Sequence, residues 1–182
     1  MNARLEARNF VMVGAVGAIL FATACESPSA LGPGDDASFA RSVHAHTAGD
    51  ELLRSVRQAT ARFHSTEQAL AAGYLPDTHC VAVPGLGGMG YHWVNPDHVD
   101  PAFDPGQPEV LLYATGPGGN LRLVAVEYIV IDVGQDRPSF GGHPLDVGGT
   151  PVPVPHLSLH VWLYEENPDG IFSPFNPNVG CP

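Results

Sequence analysis

The chain has 182 residues, and its composition and charge already exclude several classes of protein. Gly and Pro supply 21 and 18 residues while charged residues make up only 15%, which disfavours helix bundles and favours short strands joined by turns. The formal net charge is −11 and the chain contains no Lys, so it lacks the basic surface that binding to phosphates requires. We therefore expect no nucleic-acid partner.

The first 24 residues have the pattern of an export signal. Two Arg residues precede an apolar run at 10–24, and those 15 residues are fewer than the roughly 20 that a membrane-spanning helix needs. Ala22-Thr23-Ala24 fits the small-x-small cleavage rule, and the Cys25 that follows resembles the lipid-modified Cys of bacterial lipoproteins. We predict lipidation of Cys25 and an anchor in the bacterial cell envelope, on its periplasmic or extracellular face. Cleavage before an unmodified Cys25 is the alternative.

The rest of the chain divides into a tether and one domain. Residues 25–48 are rich in Ser, Pro, Gly and Asp without a usable period, which predicts a flexible tether. Residues 49–182 are predicted to form a single domain. It opens with one helix over 50–72, where apolar residues recur at helical spacing and Gly73 provides a stop.

Beyond the helix the pattern changes to the period of two that is typical of strands. The predicted strands are Cys80–Val83, Tyr91–Val94, Glu109–Ala114, Leu121–Ile131 and His156–Tyr164. The third and fourth flank the turn residues 115–120 and predict a hairpin. The expected fold class is α+β, with one N-terminal helix packed on a mainly antiparallel β-sheet or small open barrel.

A run of glycines precedes the second predicted strand. Gly85–Gly90 spells G-x-G-x-x-G, the letter pattern of a dinucleotide-binding loop. That loop requires a helix after its last Gly, whereas a strand is predicted here, so we interpret the run as a loop between strands.

Cys80 and Cys181 form an even pair once Cys25 is set aside. In the oxidising compartment that an export signal implies, a disulfide is the default state of such a pair. It would fasten the irregular C-terminal tail. A thiolate metal ligand or nucleophile is the alternative, although C-x-x-C spacing is absent.

Glu127 places a carboxylate on the predicted strand Leu121–Ile131, both faces of which are largely apolar. Such a group is costly to bury unless it is paired, hydrogen-bonded or bound to a cation. Either Arg62, Arg137 or backbone amides satisfy it, or a metal ion does. Symmetric pairing of the hairpin would place Glu127 opposite Pro108.

Histidines on two other predicted strands supply companions for Glu127. His92 and His160 each lie mid-strand, and together with Glu127 they would form an open coordination sphere of two His and one carboxylate. His143 is a candidate fourth ligand. His156 lies about 13 Å from His160 along a strand, so only one of these two belongs in a mononuclear site.

Two functional hypotheses follow. In the first, His92, Glu127 and His160 bind one Zn²⁺, Cu²⁺ or Fe²⁺, and the domain is a metal-dependent enzyme that uses the ion on a small substrate. In the second, the domain is a non-catalytic binding or structural module of the envelope. Its small-molecule ligand would lie on an aromatic face formed by Trp93, Trp162 and Tyr164. Convergence of the three metal-ligand candidates would distinguish the first hypothesis from the second.

Four segments of this sequence resemble a family of uncharacterised exported bacterial proteins and lipoproteins. They are Gly88–Pro96, Arg122–Tyr128, His160–Tyr164 and Asn176–Pro182. The resemblance covers about residues 50–182 and implies the extent of the domain, but no activity. The His and Glu residues on strands also loosely resemble a cupin metal site, although the cupin H-x-H spacing is absent.

Overall fold

A computed structural model of the chain describes residues 49–148 and 153–182. The predicted signal peptide, the tether and Cys25 lie outside the described residues. Helix α1 covers residues 49–60, a 3-10 turn follows at Ala61–His64, and helix α2 spans Thr66–Ala71. Within the described ranges, the helices lack the length and apolar character needed to cross a bilayer.

The predicted single helix over 50–72 is interrupted at Ser65. This residue has extended backbone angles of φ −87° and ψ 117°, and its hydroxyl accepts a hydrogen bond from the Gln68 N–H. Ser is a favoured N-cap because its side chain satisfies an N–H that the first helical turn leaves free. The local hydrogen bond therefore starts a second helix where the periodicity alone predicted continuation.

Eight strands follow the helices. They are β1 Cys80–Val83, β2 Gly87–Val94, β3 Val110–Thr115, β4 Leu121–Ile131, β5 Ser139–Phe140, β6 His143–Pro144, β7 Asp146–Val147 and β8 His156–Val161. Six of them form one antiparallel sheet in the order β1-β2-β3-β4-β8-β7, while β5 and β6 pair separately. The sheet curls into a half-barrel with the helical segment packed on it, which confirms the α+β prediction.

One face of the sheet packs against the helical segment. Val56 of α1, Phe63 of the 3-10 turn and Tyr74 beyond α2 belong to its buried cluster. Strand residues of that cluster include Leu111, Tyr113, Leu123, Val126, Tyr128, Leu159 and Val161. The opposite face carries a second cluster. It includes Val110, Leu112, Ala114, Ala125, Ile129, Trp162 and Val179. Both faces of the central strands are therefore buried.

A β-bulge changes the register of the hairpin from the one predicted. Leu112 pairs with Ala125 and Tyr113 pairs with Leu123, so Val124 is an extra residue on β4. Glu127 consequently lies opposite Val110, and the prediction that it lies opposite Pro108 was wrong. At the bulge the consecutive residues Val124 and Ala125 both pack in the cluster opposite α1, while Leu123 and Val126 pack on the helix side.

The C-terminal tail crosses the sheet face opposite α1. Asn176 exchanges two backbone hydrogen bonds with Gly88 of β2, at 3.1 and 3.0 Å. A Cβ atom on Gly88 would lie 2.8 Å from the Val179 carbonyl oxygen, so this contact requires glycine. The glycine run that was predicted to be a loop is largely strand. Its glycines carry no side chains, so the tail can pack closely on them and hydrogen-bond to Gly88. Cys80 and Cys181 form the predicted disulfide, with Cα atoms 5.7 Å apart.

Candidate metal centre

Three strands bring His92, Glu127 and His160 to one face of the sheet. Glu127 of β4 pairs directly with His160 of β8 and with Val110 of β3, and paired residues share a face. His92 of β2 pairs with Leu112 of β3. Since Val110 and Leu112 belong to the cluster opposite α1, all three side chains point away from the helix and toward the tail.

The curl of the sheet closes the distance between the two histidines. β2 and β8 are three strand spacings apart, which is about 14 Å in a flat sheet. The centroids of the His92 and His160 rings are nevertheless only 6.1 Å apart, with the ring planes at 89°. The curvature and the inward reach of both rings account for the difference.

The ligand atoms of the three residues are arranged around a common point. Glu127 Oε2 lies 3.6 Å from His92 Nε2 and 3.9 Å from His160 Nε2, and one ligand atom from each residue lies within 4.8 Å of the others. Zn–N and Zn–O bonds of about 2.0–2.2 Å imply ligand separations of about 3.4 Å in a tetrahedral site. The observed distances are close to that value and too long for hydrogen bonds.

Burial leaves the polar atoms of this group without partners. The exposed fractions of Glu127, His92 and His160 are 1%, 6% and 7%. Glu127 Oε2 and His160 Nε2 are inaccessible to solvent and have no hydrogen-bond partner. Because buried polar atoms are almost always satisfied in folded proteins, a metal ion between these two atoms would give both of them a partner.

The electrostatics follow from the same burial. Desolvation raises the pKa of Glu127 to about 8, and the nearby Glu109 adds to this effect. Desolvation lowers the pKa of His92 to about 4 and that of His160 to about 3. Without an ion, the site at neutral pH therefore holds a protonated carboxyl and two neutral imidazoles, and neutral imidazole is the form that binds metals.

The arginines proposed as partners of Glu127 are engaged elsewhere. The Arg62 guanidinium lies 4.5 Å from the centroid of the Phe63 ring. Arg137 donates a hydrogen bond to the Leu145 carbonyl and lies 3.6 Å from Asp146. In the part of the chain that the structure describes, no Arg pairs with Glu127. A buried group of two His and one carboxylate that could hold a metal ion is therefore present.

The other candidate histidines lie apart from this group. His143 is exposed on β6, and its ring stacks on Phe172 with 4.4 Å between centroids. His156 begins β8, where its Nδ1 lies 2.7 Å from the Val154 carbonyl oxygen. The structure brings neither His143 nor His156 into the group of three.

The structure does not bring together the three residues of the predicted aromatic face. Trp93 belongs to the cluster on the helix side, where its ring centroid lies 4.7 Å from that of Tyr113. Tyr164 also packs on that side and hydrogen-bonds to Thr60. Trp162 belongs to the opposite cluster and donates its Nε1 hydrogen to the Ser173 carbonyl. These three residues, all within the described part of the chain, therefore form no continuous face, because Trp93 pairs with Leu111 on the helix side while Trp162 packs on the opposite side.

Sequence reasoning missed a second buried carboxyl group. Glu109 is 2% exposed, and its Oε2 accepts a hydrogen bond of 2.9 Å from the Ile129 N–H. Desolvation raises the pKa of Glu109 to about 8, although this hydrogen bond opposes the shift. Its position at the start of a predicted strand did not predict burial, because residues at strand ends are commonly exposed.

Comparisons of the chain with protein-family models, with curated proteins and with solved structures found no match.

Proposed function

We propose that this protein is an exported, lipid-anchored domain that binds one divalent transition metal through His92, Glu127 and His160. The observation that carries the proposal is the buried Glu127 carboxyl, whose Oε2 faces two imidazole nitrogens and has no hydrogen-bond partner. A cation at this point would ionise the carboxyl and give all three ligand atoms a partner.

The donor set limits the metal and its chemistry. Imidazole nitrogens suit Zn²⁺, Cu²⁺ and Fe²⁺, whereas Ca²⁺ and Mg²⁺ prefer oxygen ligands. Three protein ligands leave at least one coordination position open, as in catalytic rather than structural zinc sites. We propose that the domain is a metal-dependent enzyme, in which the ion acts as a Lewis acid or redox centre on a small substrate.

Two features support the proposed location. The first 25 residues carry the pattern of an export signal followed by a lipid-accepting Cys. The Cys80–Cys181 disulfide suits an oxidising compartment outside the cytoplasm.

The rival hypothesis of an aromatic binding face loses its support, because Trp93 and Trp162 lie on opposite faces of the sheet.

Metal content of site variants tests this proposal. The purified protein should retain close to one equivalent of zinc, copper or iron after reconstitution and desalting, measured by elemental analysis. His92→Ala and His160→Ala should each lose most of it. Glu127→Gln keeps the shape of the side chain but removes the charge, so it should lose affinity while retaining the fold.

Matched variants on the surface provide the control. His79→Ala and Glu51→Gln change the same residue types at exposed positions and should retain the metal of the unaltered protein. The proposal fails if the unaltered protein binds none of the three metals, or if the site variants and the surface variants bind them equally.

A further inference from the structure

A cavity of about 290 Å³ opens beside the metal centre. Glu127 and His160 form part of its wall, whereas His92 does not. The cavity therefore meets the three ligands on one side only, on the side of β8 and the edge strand β7. An ion held by the three residues would therefore lie beside this cavity.

Part of the cavity wall is apolar. Met89, Phe172 and Pro174 line it, and the ring of Phe172 is held in place by stacking on His143 and by an edge contact with Phe140. Met89 is an extra residue on β2, because Ala82 pairs with Gly88 while Val81 pairs with Gly90. A bulge of this kind re-aims a side chain, which accounts for Met89 reaching the cavity.

The size of the cavity suits a small occupant. Its volume of about 290 Å³ is at the lower end of the range of about 300–1,000 Å³ that is typical of small-molecule sites. One six-membered ring with a short substituent fits that space.

The charge at the mouth of the cavity opposes an anionic occupant. Asp146 lines the cavity, and its side chain is 71% exposed there. Arg137 lies 3.6 Å from Asp146 but is itself nearly half exposed, so solvent screens the pair. The whole chain carries a formal charge of −11. A carboxylate that enters would meet like charge at the mouth.

We propose that this cavity is the substrate site of the metal centre, and that it takes a small uncharged molecule with a flat apolar body and one nitrogen or oxygen donor. The apolar body packs between Met89 and Phe172, and the donor atom occupies the open coordination position. This inference rests on the proposed function, since it presupposes that His92, Glu127 and His160 hold a metal ion.

A matched pair of probes tests the size and the charge of the occupant. Isonicotinamide and isonicotinate share the same ring, donor nitrogen and number of non-hydrogen atoms, and differ only in charge. Titrated into the full chain loaded with Co²⁺, isonicotinamide should change the visible spectrum of the metal. Isonicotinate should bind several-fold more weakly, because its carboxylate meets Asp146, whose exposure to solvent keeps the repulsion modest. Asp146→Asn should reduce that difference.

A pair of Val→Trp variants tests the location. Val147 lines the mouth of the cavity and is 80% exposed, so Val147→Trp blocks the entrance without disturbing the core. Val133 is 66% exposed and does not line the cavity. Val147→Trp should weaken isonicotinamide binding by about tenfold or more at unchanged Co²⁺ content, while Val133→Trp should leave binding unchanged.

The outcomes separate this inference from the proposed function. Failure of the unaltered chain to bind Co²⁺ overturns the metal centre itself. If Co²⁺ binds but isonicotinamide leaves the spectrum unchanged, the cavity is not a substrate site. Equal binding by the two Trp variants overturns the location, and tighter binding of isonicotinate overturns the charge preference.

Discussion

Glu127 is the residue on which the chemistry of this domain depends. Its burial costs free energy when it is ionised, and desolvation accordingly raises its pKa to about 8. Burial shifts the pKa values of the two histidines in the opposite direction. Desolvation lowers the pKa of His92 to about 4 and that of His160 to about 3. Around neutral pH, the proton that a metal must displace is therefore on the carboxyl and not on an imidazole.

The pH dependence of metal binding tests this assignment. Below about pH 8 the metal-free carboxyl of Glu127 holds its proton, so binding should release one proton per ion. Affinity should then fall about tenfold for each unit of pH lost between about 8 and 4, and more steeply below 4, where His92 also takes up a proton. Calorimetric titration in buffers of different ionisation enthalpy counts the protons released.

Glu127→Gln is the matched variant for that titration. Metal binding to this variant should release no proton at pH 7, because the carboxamide of Gln has no proton that ionises in this range. An unaltered protein whose affinity first declines near the ordinary imidazole value of about 6.5 would contradict the assignment to Glu127.

At the scale of single residues, the sequence indicated the three residues of the candidate metal centre but not the cavity. A carboxylate among apolar strand residues is visible in a sequence, and Glu127 led directly to His92 and His160. Met89 gave no such signal, because its direction depends on a bulge that hydrophobic periodicity does not encode. The grouping of Trp93 with Trp162 failed because those residues lie on opposite faces of the sheet.

At the scale of elements, periodicity gave good strand positions where both strand ends carry turn residues. β1 and β4 have the predicted bounds, whereas β2 begins earlier than predicted, at Gly87. Its glycines have little intrinsic preference for a strand, and they belong to the sheet because they pair with β1 and because the tail hydrogen-bonds to Gly88. Tertiary contacts of this kind cannot be read from a local pattern.

The disulfide between β1 and the tail is the element whose removal we expect to be most costly. Cys80→Ala combined with Cys181→Ala removes a link between residues 101 apart in sequence, worth about 4.7 kcal/mol in the chain-entropy model. Urea unfolding should show a loss of free energy of this order. Metal affinity should fall as well, because the tail that covers the site is then held only by weaker contacts.

Cys25→Ser serves as the control for the disulfide variants, since it removes a cysteine outside the bridge and should leave the unfolding free energy unchanged. Equal stability of the bridged protein and the double variant would contradict the expectation.

At the scale of the whole molecule, the remaining prediction concerns the anchor. The position of Cys25 after Ala22-Thr23-Ala24 predicts that the protein partitions into the membrane fraction and that Cys25→Ser does not. Fractionation followed by intact-mass measurement decides between the two. An unmodified Cys25 on a protein recovered in the soluble fraction would show that ordinary signal cleavage occurs instead.

The tail crosses the sheet face that carries His92, Glu127 and His160, and this affects the order of assembly. The tail is attached covalently by the disulfide between Cys181 and Cys80. In the cytoplasm, thiols would keep these two cysteines reduced. For a protein exported as we propose, the tail is therefore fixed over the site only after translocation. The metal ion would then be bound outside the cytoplasm. Formation of the Cys80–Cys181 disulfide would determine when the bound ion can no longer dissociate readily.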